Sequence, residues 1–449
     1  MAEIIPFIGT RFNSRLIEEM KTVISPPYDT LTPESQEVYR NSNPNNIMHI
    51  VPTFTNEDDT DYNNAYQRAS SQIQAWRRDG ILVNDGHRSY YFYERVKGGA
   101  EKKIICRGVY ALVNLGKQKP KNLTVEGTTP YLTKSFHLKL LRATRCNIAP
   151  VPLFFRDPKG DFQRMGDAIA ANKPWEEIED NEGDIHRLWV INKKEAITRI
   201  TQIFADKQSF LVDGHQRYEV AIRYRNEQRE TSGKTRGDQP FDHVMVFLSP
   251  FDVHRICTRP VHRVLSSEIG ASAEIGEILE DLAVHFNVQQ LKVKLKETGE
   301  ATSKILGAIA DKGKKTTCIA MALQDGRVFA LTLKDDADIN DLFDEETKLS
   351  ESSRKMDVNI LYHHIIRQNW IGNPELELEE EDILYVDEAE AALRMLAERK
   401  AAAVFLLNAC PQKHLEDALN SGDTIPPFTA RFNPPLATGL VIRDMSVRQ

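Results

Sequence analysis

The sequence predicts a mixed α+β fold, and three observations carry that expectation. Aromatic and β-branched runs, Tyr90-Tyr91-Phe92-Tyr93 and Ile104 to Leu115, have strand character and are separated by the turn Lys97-Gly98-Gly99, so they read as a hairpin. Segments with helical spacing alternate with such runs, as where Tyr66, Ala69, Ile73 and Trp76 fall on one face. The chain is 449 residues long, 41% hydrophobic and 27% charged, with 23 Gly and 21 Pro. That ordinary globular balance excludes fibrous and low-complexity classes and leaves room for two or three domains.

Ile4 to Phe7 and Thr22 to Pro27 read as short extended segments interrupted by proline, and Pro26-Pro27-Tyr28-Asp29 as a rigid loop. Thr32 is a cap residue ahead of Pro33 and Glu34, so a helix is expected from about Pro33 to Asn41. The next helix, Tyr62 to Asp79, stops at Gly80 and carries the apolar face that fits a sheet. After the hairpin, which is expected to be central, the polar segment Asn122 to Thr133 leads into a basic helix, Lys134 to Arg145, and the strand Pro150 to Phe155. Leu188 to Asn192 is a strand and Glu195 to Ala205 a helix. Ser209 to Val212 is a short apolar strand that breaks at Asp213-Gly214 and enters a helix from His215 to about Glu230. Phe241 to Leu248 returns as a strand. The second half is expected to hold helices at Ala273 to Phe286, Val358 to Trp370, Glu388 to Arg399 and Gln412 to Ser421. Its strands fall at Cys318 to Leu323, Arg327 to Leu333 and Ala402 to Leu407.

Net charge is −7 with a pI near 6.0, so no global positive field draws the protein to nucleic acid or an anionic membrane. A nucleic-acid partner is not expected, and any such site would have to be local. Five cysteines lie far apart with no C-x-x-C pair, a poor disulfide framework that fits a reducing, cytoplasmic setting. Met1 to Thr10 lacks the basic flank and apolar core of a signal peptide, and no apolar run approaches the roughly 18 residues a bilayer needs, so no membrane partner is expected.

The most informative local pattern is Val212-Asp213-Gly214-His215-Gln216-Arg217-Tyr218-Glu219. A glycine turn between a strand and a helix aims backbone N–H groups and the positive helix end at one point, which favours a phosphate. Arg217 can add a bidentate contact and His215 a further donor, while Asp213 can hold a metal or orient His215. A plainer reading has Asp213 capping the helix and Arg217 in solvent, and the pattern alone leaves both open. Pro260-Val261-His262-Arg263 is a second candidate, because basic and imidazole groups behind a proline-stiffened turn can clamp phosphate oxygens. The third is Glu126-Gly127-Thr128-Thr129 ahead of Lys134, where a carboxylate could deprotonate a hydroxyl and a lysine offset phosphoryl charge. Tyr28 and Asp29 are a fourth, a polar pair on a stiff loop. Ser232-Gly233-Lys234-Thr235 mimics the end of a Walker A loop, but Gln228 stands where the first glycine belongs and a helix precedes it, so it is not one. His363 and His364 are adjacent, not spaced i, i+4, and form no zinc motif.

Val212 to Glu219 resembles the Asp-Gly-His-His-Arg-Tyr-Glu signature of a prokaryotic family, domain-of-unknown-function family one thousand and fifteen, often labelled free-serine-kinase-like. The similarity extends over nearly the whole chain. It includes Pro26-Pro27-Tyr28-Asp29, Leu140 to Asn147, Pro260 to Arg263, Leu406-Leu407-Asn408, Ile425-Pro426-Pro427 and Ala437-Thr438-Gly439-Leu440, in the family's order. The resemblance implies a ParB/sulfiredoxin-like nucleotide-binding domain over residues 1–268 and a C-terminal α/β domain over 269–449. It further implies kinship with ADP-dependent and ATP-dependent kinases that turn free serine into O-phosphoserine. Carried over by position, Glu126 becomes the catalytic base with His215 as a second catalytic group. Asp213, Gly214, His215, Arg217, Thr128, Lys134, His262 and Arg263 then hold the nucleotide phosphates.

The chain departs from the pattern at Val125, Gln216, Val220 and Phe428, and at Phe136 and His137, which stand where the family has an acid and a base; aligning Glu126 takes a one-residue insertion before Lys134. The function implied is a nucleotide-dependent kinase of a small hydroxyl substrate, with free L-serine as acceptor and Mg2+ bridging the phosphates of ADP or ATP. The need for magnesium rests on phosphate charge, since no ligand motif is visible and the metal's residues stay unknown. Two alternatives remain: a ParB-like switch that binds CTP or another nucleotide without turnover, and a catalytically silent scaffold.

Overall fold

Both faces of the Tyr90-Tyr91-Phe92-Tyr93 run are buried, which explains why the run is continuously apolar or aromatic and not alternating. It lies in a computed structural model that describes residues 4–28, 31, 33–51, 59–60, 62–97, 103–116, 131–234, 238–251, 256–258, 260–267, 274–295, 298–372, 382–423, 425–426, 429, 431–432 and 434–447. The chain divides into two units, one of Met1–Val125, Thr133–Arg255 and Phe432–Gln449, the other of Glu126–Leu132 and Ile256–Arg431.

The first unit contains β1 (Ile4–Ile5), β2 (Thr10–Phe12), α1 (Pro33–Ser42), α2 (Ala65–Arg78), β3 (Leu82–Asn84), β4 (Tyr90–Lys97) and β5 (Lys103–Asn114). These are followed by α3 (Tyr131–Thr144), β6 (Cys146–Asn147), β7 (Val151–Phe155), α4 (Asp161–Ala170), β8 (Glu176–Glu179) and β9 (Ile185–Ile191). Then come α5 (Lys194–Phe204), β10 (Ser209–Leu211), α6 (His215–Ser232) and β11 (His243–Pro250). The fold is mixed α+β. The main sheet runs β10-β7-β11-β5-β4-β9-β8, with β1 also paired to β5. Its pairs are antiparallel except β7 with β11, where Val246 lies beside Val151. The expected hairpin is β4 with β5, and it is central.

Side-chain alternation assigns the two faces. Tyr90, Phe92, Val109, Ala111, Val151, Leu153 and Phe155 pack under α4, α5 and α6 through Phe162, Met165, Ile200, Phe204, Tyr218 and Ala221. Each Val, Leu, Ile, Phe or Met side chain among these contributes about 1.5–3 kcal/mol on burial. On the opposite face Tyr93 and Tyr110 meet Phe247, which meets Phe432. Charged groups are paired where the sheet buries them: Arg107 donates to Glu94 at 2.6 Å and to Asp167 of α4 at 2.6 Å. Across the other face Tyr93 Oη, His186 and Asp180 form a chain with contacts of 2.8 Å and 2.9 Å.

Three local expectations are corrected. Thr22 to Pro27 is not a strand, because Pro26 and Pro27 have no N–H to continue a ladder. A 3-10 turn at Met20–Thr22 is followed by Ser25, which exchanges backbone hydrogen bonds with Thr438. Pro260 to Arg263 is not a turn throughout, since His262 opens a strand, described below. The helix expected from Val358 to Trp370 is a short α turn, Asp357–Ile360, running into a π-helix, Leu361–Ile371.

The second unit holds β12 (Ile256–Cys257), β13 (His262–Ser266), β14 (Phe286–Gln290), β15 (Cys318–Leu323), β16 (Val328–Leu333), β17 (Ile383–Val386) and β18 (Ala401–Leu406). Its main sheet, ordered β14-β16-β15-β18-β13-β17, is antiparallel throughout. Helices Ile275–His285 and Leu361–Ile371 cover one face through Leu282, Ile365 and Trp370. Helices Thr298–Gly313 and Ala389–Ala397 cover the other through Ile305, Ile309 and Leu393.

Gly108 on β5 is the tightest point of the central hairpin. A Cβ there would meet the Phe247 ring and stand 2.6 Å from the Leu248 carbonyl oxygen. Gly108→Ala is therefore expected to lower stability by about 2 kcal/mol or more, read as a shift of the urea midpoint. An unchanged midpoint would contradict the packing described.

Candidate functional site

The strand, turn and helix expected at Ser209 to Glu230 are β10 and α6, joined by Val212-Asp213-Gly214. Gly214 has φ +76° and ψ 22°, the left-handed conformation that glycine adopts without steric cost. A Cβ there would also stand 3.1 Å from Pro152 Cδ and 3.5 Å from both Nε and a terminal nitrogen of Arg217. The Arg217 guanidinium thus lies back over the turn, at the positive end of an 18-residue helix whose N-cap supplies no side-chain hydrogen bond. Arg217 is half-buried, so the alternative that leaves it in solvent does not describe it. Asp213 acts as a backbone acceptor: one oxygen takes the Gly214 N–H at 2.7 Å and the other the Phe432 N–H at 3.2 Å.

His215 begins α6 with 6% of its surface exposed. Burial pushes its imidazole down to about 4, with Glu219 pulling weakly the other way, so the ring is neutral at pH 7. Its Nε2 is buried and has no hydrogen-bond partner among the described residues. In the neutral form His215 can donate one hydrogen bond to an anion but cannot supply a positive charge.

Three sequence blocks converge beside Arg217. Tyr28 of the Pro-Pro-Tyr-Asp loop hydrogen-bonds through Oη to His137 Nδ1 at 2.9 Å. Tyr28, His137, Cys146, Asn147, Arg217 and Val220 line a cavity of about 40 Å³, room for a water or two. Phe136, at a position where the resemblance expects an acid, packs against Tyr28 and Tyr66 with ring centroids 6.1 Å and 6.0 Å away. Burial pushes the Cys146 thiol up to about 12, which removes it as a nucleophile at neutral pH. The Tyr28 and His137 pairing spans 109 residues, and no local spacing could have revealed it.

The other sequence candidates are placed as follows. Glu126, Thr128 and Asp29 lie outside the described residues. Lys134 belongs to the first turn of α3. His262 and Arg263 lie on β13 in the second unit, 1% and 7% exposed. His262 Nδ1 accepts the Leu407 N–H at 3.2 Å, while burial and then Arg263 push the ring down to about 4. Arg263 donates to the Val261 carbonyl at 2.6 Å and lies 4.2 Å from the Tyr385 ring centroid. Gly233 of the Walker-like decoy ends α6 in a left-handed cap, φ +64°. Among the described residues no group of three or more His, Cys, Asp or Glu could hold a metal ion.

A family model described as "Protein of unknown function (DUF1015)" matches residues 4–359. No curated protein matches this chain. A conserved hypothetical protein from Pyrococcus furiosus is 13% identical with a TM-score of 0.32, covering 77% of this chain and 97% of its own. A free serine kinase variant in complex with AMP is 13% identical with a TM-score of 0.31, covering 74% of this chain and 92% of its own. Neither structural likeness is high enough to bear on activity.

The buried neutral imidazole makes a pH-dependent prediction. The unfolded chain takes up its His215 proton near pH 6.5 and the folded one only near 4. The stability this residue contributes is therefore complete above pH 6.5 and is lost as pH falls towards 4, by about 3 kcal/mol at most. Denaturant unfolding at both ends of that window should show a smaller acid loss for His215→Phe than for the parent. Equal losses would contradict a buried, neutral His215.

Proposed function

We propose that this chain, which belongs to the DUF1015 family, is a nucleotide-dependent phosphotransferase acting on a small alcohol, with free L-serine as acceptor. The observation that carries the reading is the turn at Gly214, where a left-handed glycine, the positive end of α6 and the Arg217 guanidinium meet at one place. That combination recognises a phosphate by partial charge and by bidentate hydrogen bonding. The order of family motifs from Pro26 to Leu440 adds support by resemblance.

In the proposed reaction the acceptor hydroxyl oxygen attacks the terminal phosphorus of ADP or ATP in line. The new O–P bond forms as the bond to the bridging oxygen breaks, and the nucleotide leaves one phosphate shorter. The hydroxyl proton passes to the Glu126 carboxylate, the base assigned by resemblance. Arg217 and the end of α6 offset the charge on the phosphate oxygens, with Lys134 as a further cation, and His215 donates one hydrogen bond without charge. Magnesium usually keeps several waters and needs only one or two carboxylates beside the nucleotide's own oxygens, so the lack of a three-ligand cluster among the described residues is compatible with it. When bound it would lower the phosphate charge. Asp213 is the nearby carboxylate that could reach it.

A second reading, a ParB-like switch that binds CTP or another nucleotide without turnover, is favoured by one observation. Phe136 and Tyr66 make an aromatic wall beside Tyr28 where the kinase pattern has charge.

Product analysis separates the two. Incubation with L-serine, magnesium and ADP or ATP should give O-phosphoserine and the shortened nucleotide in equal amounts. Glu126→Gln should lower kcat by about 10²-fold or more, in the range of a removed general base. Arg217→Ala should lower kcat/KM by a similar factor. Nucleotide binding without O-phosphoserine from the parent chain would favour the switch and end the kinase reading.

A further inference from the structure

A second cleft lies in the first unit, at the opposite end of β10 from the Gly214 turn. It encloses about 560 Å³ and is lined by Arg156, Lys159, Arg199, Ile203, Lys207 and Phe210 among others. The strand pairing explains its place. β7 and β10 are antiparallel, with Phe155 beside Ser209, so the residues after β7 and those before β10 emerge together. The residues after β10 form the Gly214 turn at the other end, so the two sites share a strand but no side chain.

The charges here are sorted by their partners. Lys207 is held by Asp157 at 2.8 Å, and Asp161 by Arg164 at 2.6 Å. Asp157 also accepts the Phe162 and Gln163 N–H groups at 3.1 Å and 3.2 Å, so the first turn of α4 is already capped and supplies no anion site. Lys159 and Arg199 have no ion pair among the described residues, and they face one unpaired carboxylate on the rim, Asp206. Arg156 adds a further cation whose guanidinium carbon lies 5.2 Å from the Phe251 ring centroid and 5.9 Å from that of Phe210. Stacking of this kind holds the planar group in orientation.

The volume falls within the roughly 300–1,000 Å³ of small-molecule sites and far exceeds a bare phosphate ion. One side is apolar, through Ile203 and Phe210, and the rim is cationic. We propose that this cleft binds a phosphorylated small molecule, a phosphomonoester of sugar size, independently of the nucleotide at the Gly214 turn. The phosphate meets Lys159 and Arg199, and the organic body lies on Ile203 and Phe210.

The test is a calorimetric titration of the full chain with ribose phosphate, using ribose as the control. Three proteins are compared: the parent, the double variant Lys159→Ala with Arg199→Ala, and Arg217→Ala. Both residues of the double variant are exposed, and circular dichroism checks that the fold is kept. The expected result is saturable binding of ribose phosphate but not ribose, weakened at least about tenfold in the double variant and unchanged in Arg217→Ala. Absence of saturation at about 10 mM, equal binding of ribose, or an unaffected double variant would each overturn the proposal. Loss of binding in Arg217→Ala would also overturn it, by assigning the phosphate to the Gly214 turn.

Discussion

The structure of the candidate site depends on one backbone constraint, the left-handed turn at Gly214 between β10 and α6. With φ at +76° and Pro152 3.1 Å from where a Cβ would stand, this position accepts no side chain without strain. The turn is held from outside by Asp213, whose carboxylate binds the Gly214 and Phe432 N–H groups. Because β10 is anchored to β7 and α6 packs on the sheet through Tyr218 and Ala221, the turn is a fixed feature of the core. Arg217 takes its direction from that turn, one helical turn into α6.

Much of this was legible in the sequence. Residues Ser209 to Val212 are apolar, Asp-Gly breaks the run, and a helix follows, so local chemistry specified the motif. The central hairpin was legible for the same reason, from aromatic strands on either side of a glycine turn. What stayed hidden involves distant partners. Nothing near His262 shows that it opens a strand between β18 and β17, because Pro260 and two basic residues read as a turn until the neighbouring strands are known. Helix Thr298–Gly313 and strand Glu176–Glu179 also went unforeseen; the latter is acidic and pairs, among the described residues, with β9 alone. The π-helix Leu361–Ile371 keeps an apolar face that reads as ordinary α-helix, since the difference lies in hydrogen-bond register and not in composition.

The chemistry around the turn is set by burial. His215 and Cys146, two residue types often read as reactive, are held neutral by the apolar surroundings that also shape the cavity. Phe136 takes part in the aromatic contacts beside Tyr28 and His137, so a position polar in the resembling family has become part of the packing here. The charged functions at the turn are Arg217, the helix end and the Asp213 carboxylate, whose oxygens accept the Gly214 and Phe432 N–H groups.

The most direct test of that account is a thermal-shift titration with ADP, ATP and CTP in the presence of magnesium, comparing the parent with Arg217→Ala and Arg217→Lys. A ligand that binds only the folded state stabilises it by RT ln(1 + L/Kd), where L is the free ligand concentration, so its melting temperature rises with ligand concentration. The account predicts a rise for the parent, its loss in Arg217→Ala, and only partial recovery in Arg217→Lys, which keeps the charge but not the planar pair of donors. A nucleotide-dependent rise of equal size in all three proteins, or none at saturating nucleotide in the parent, would contradict it.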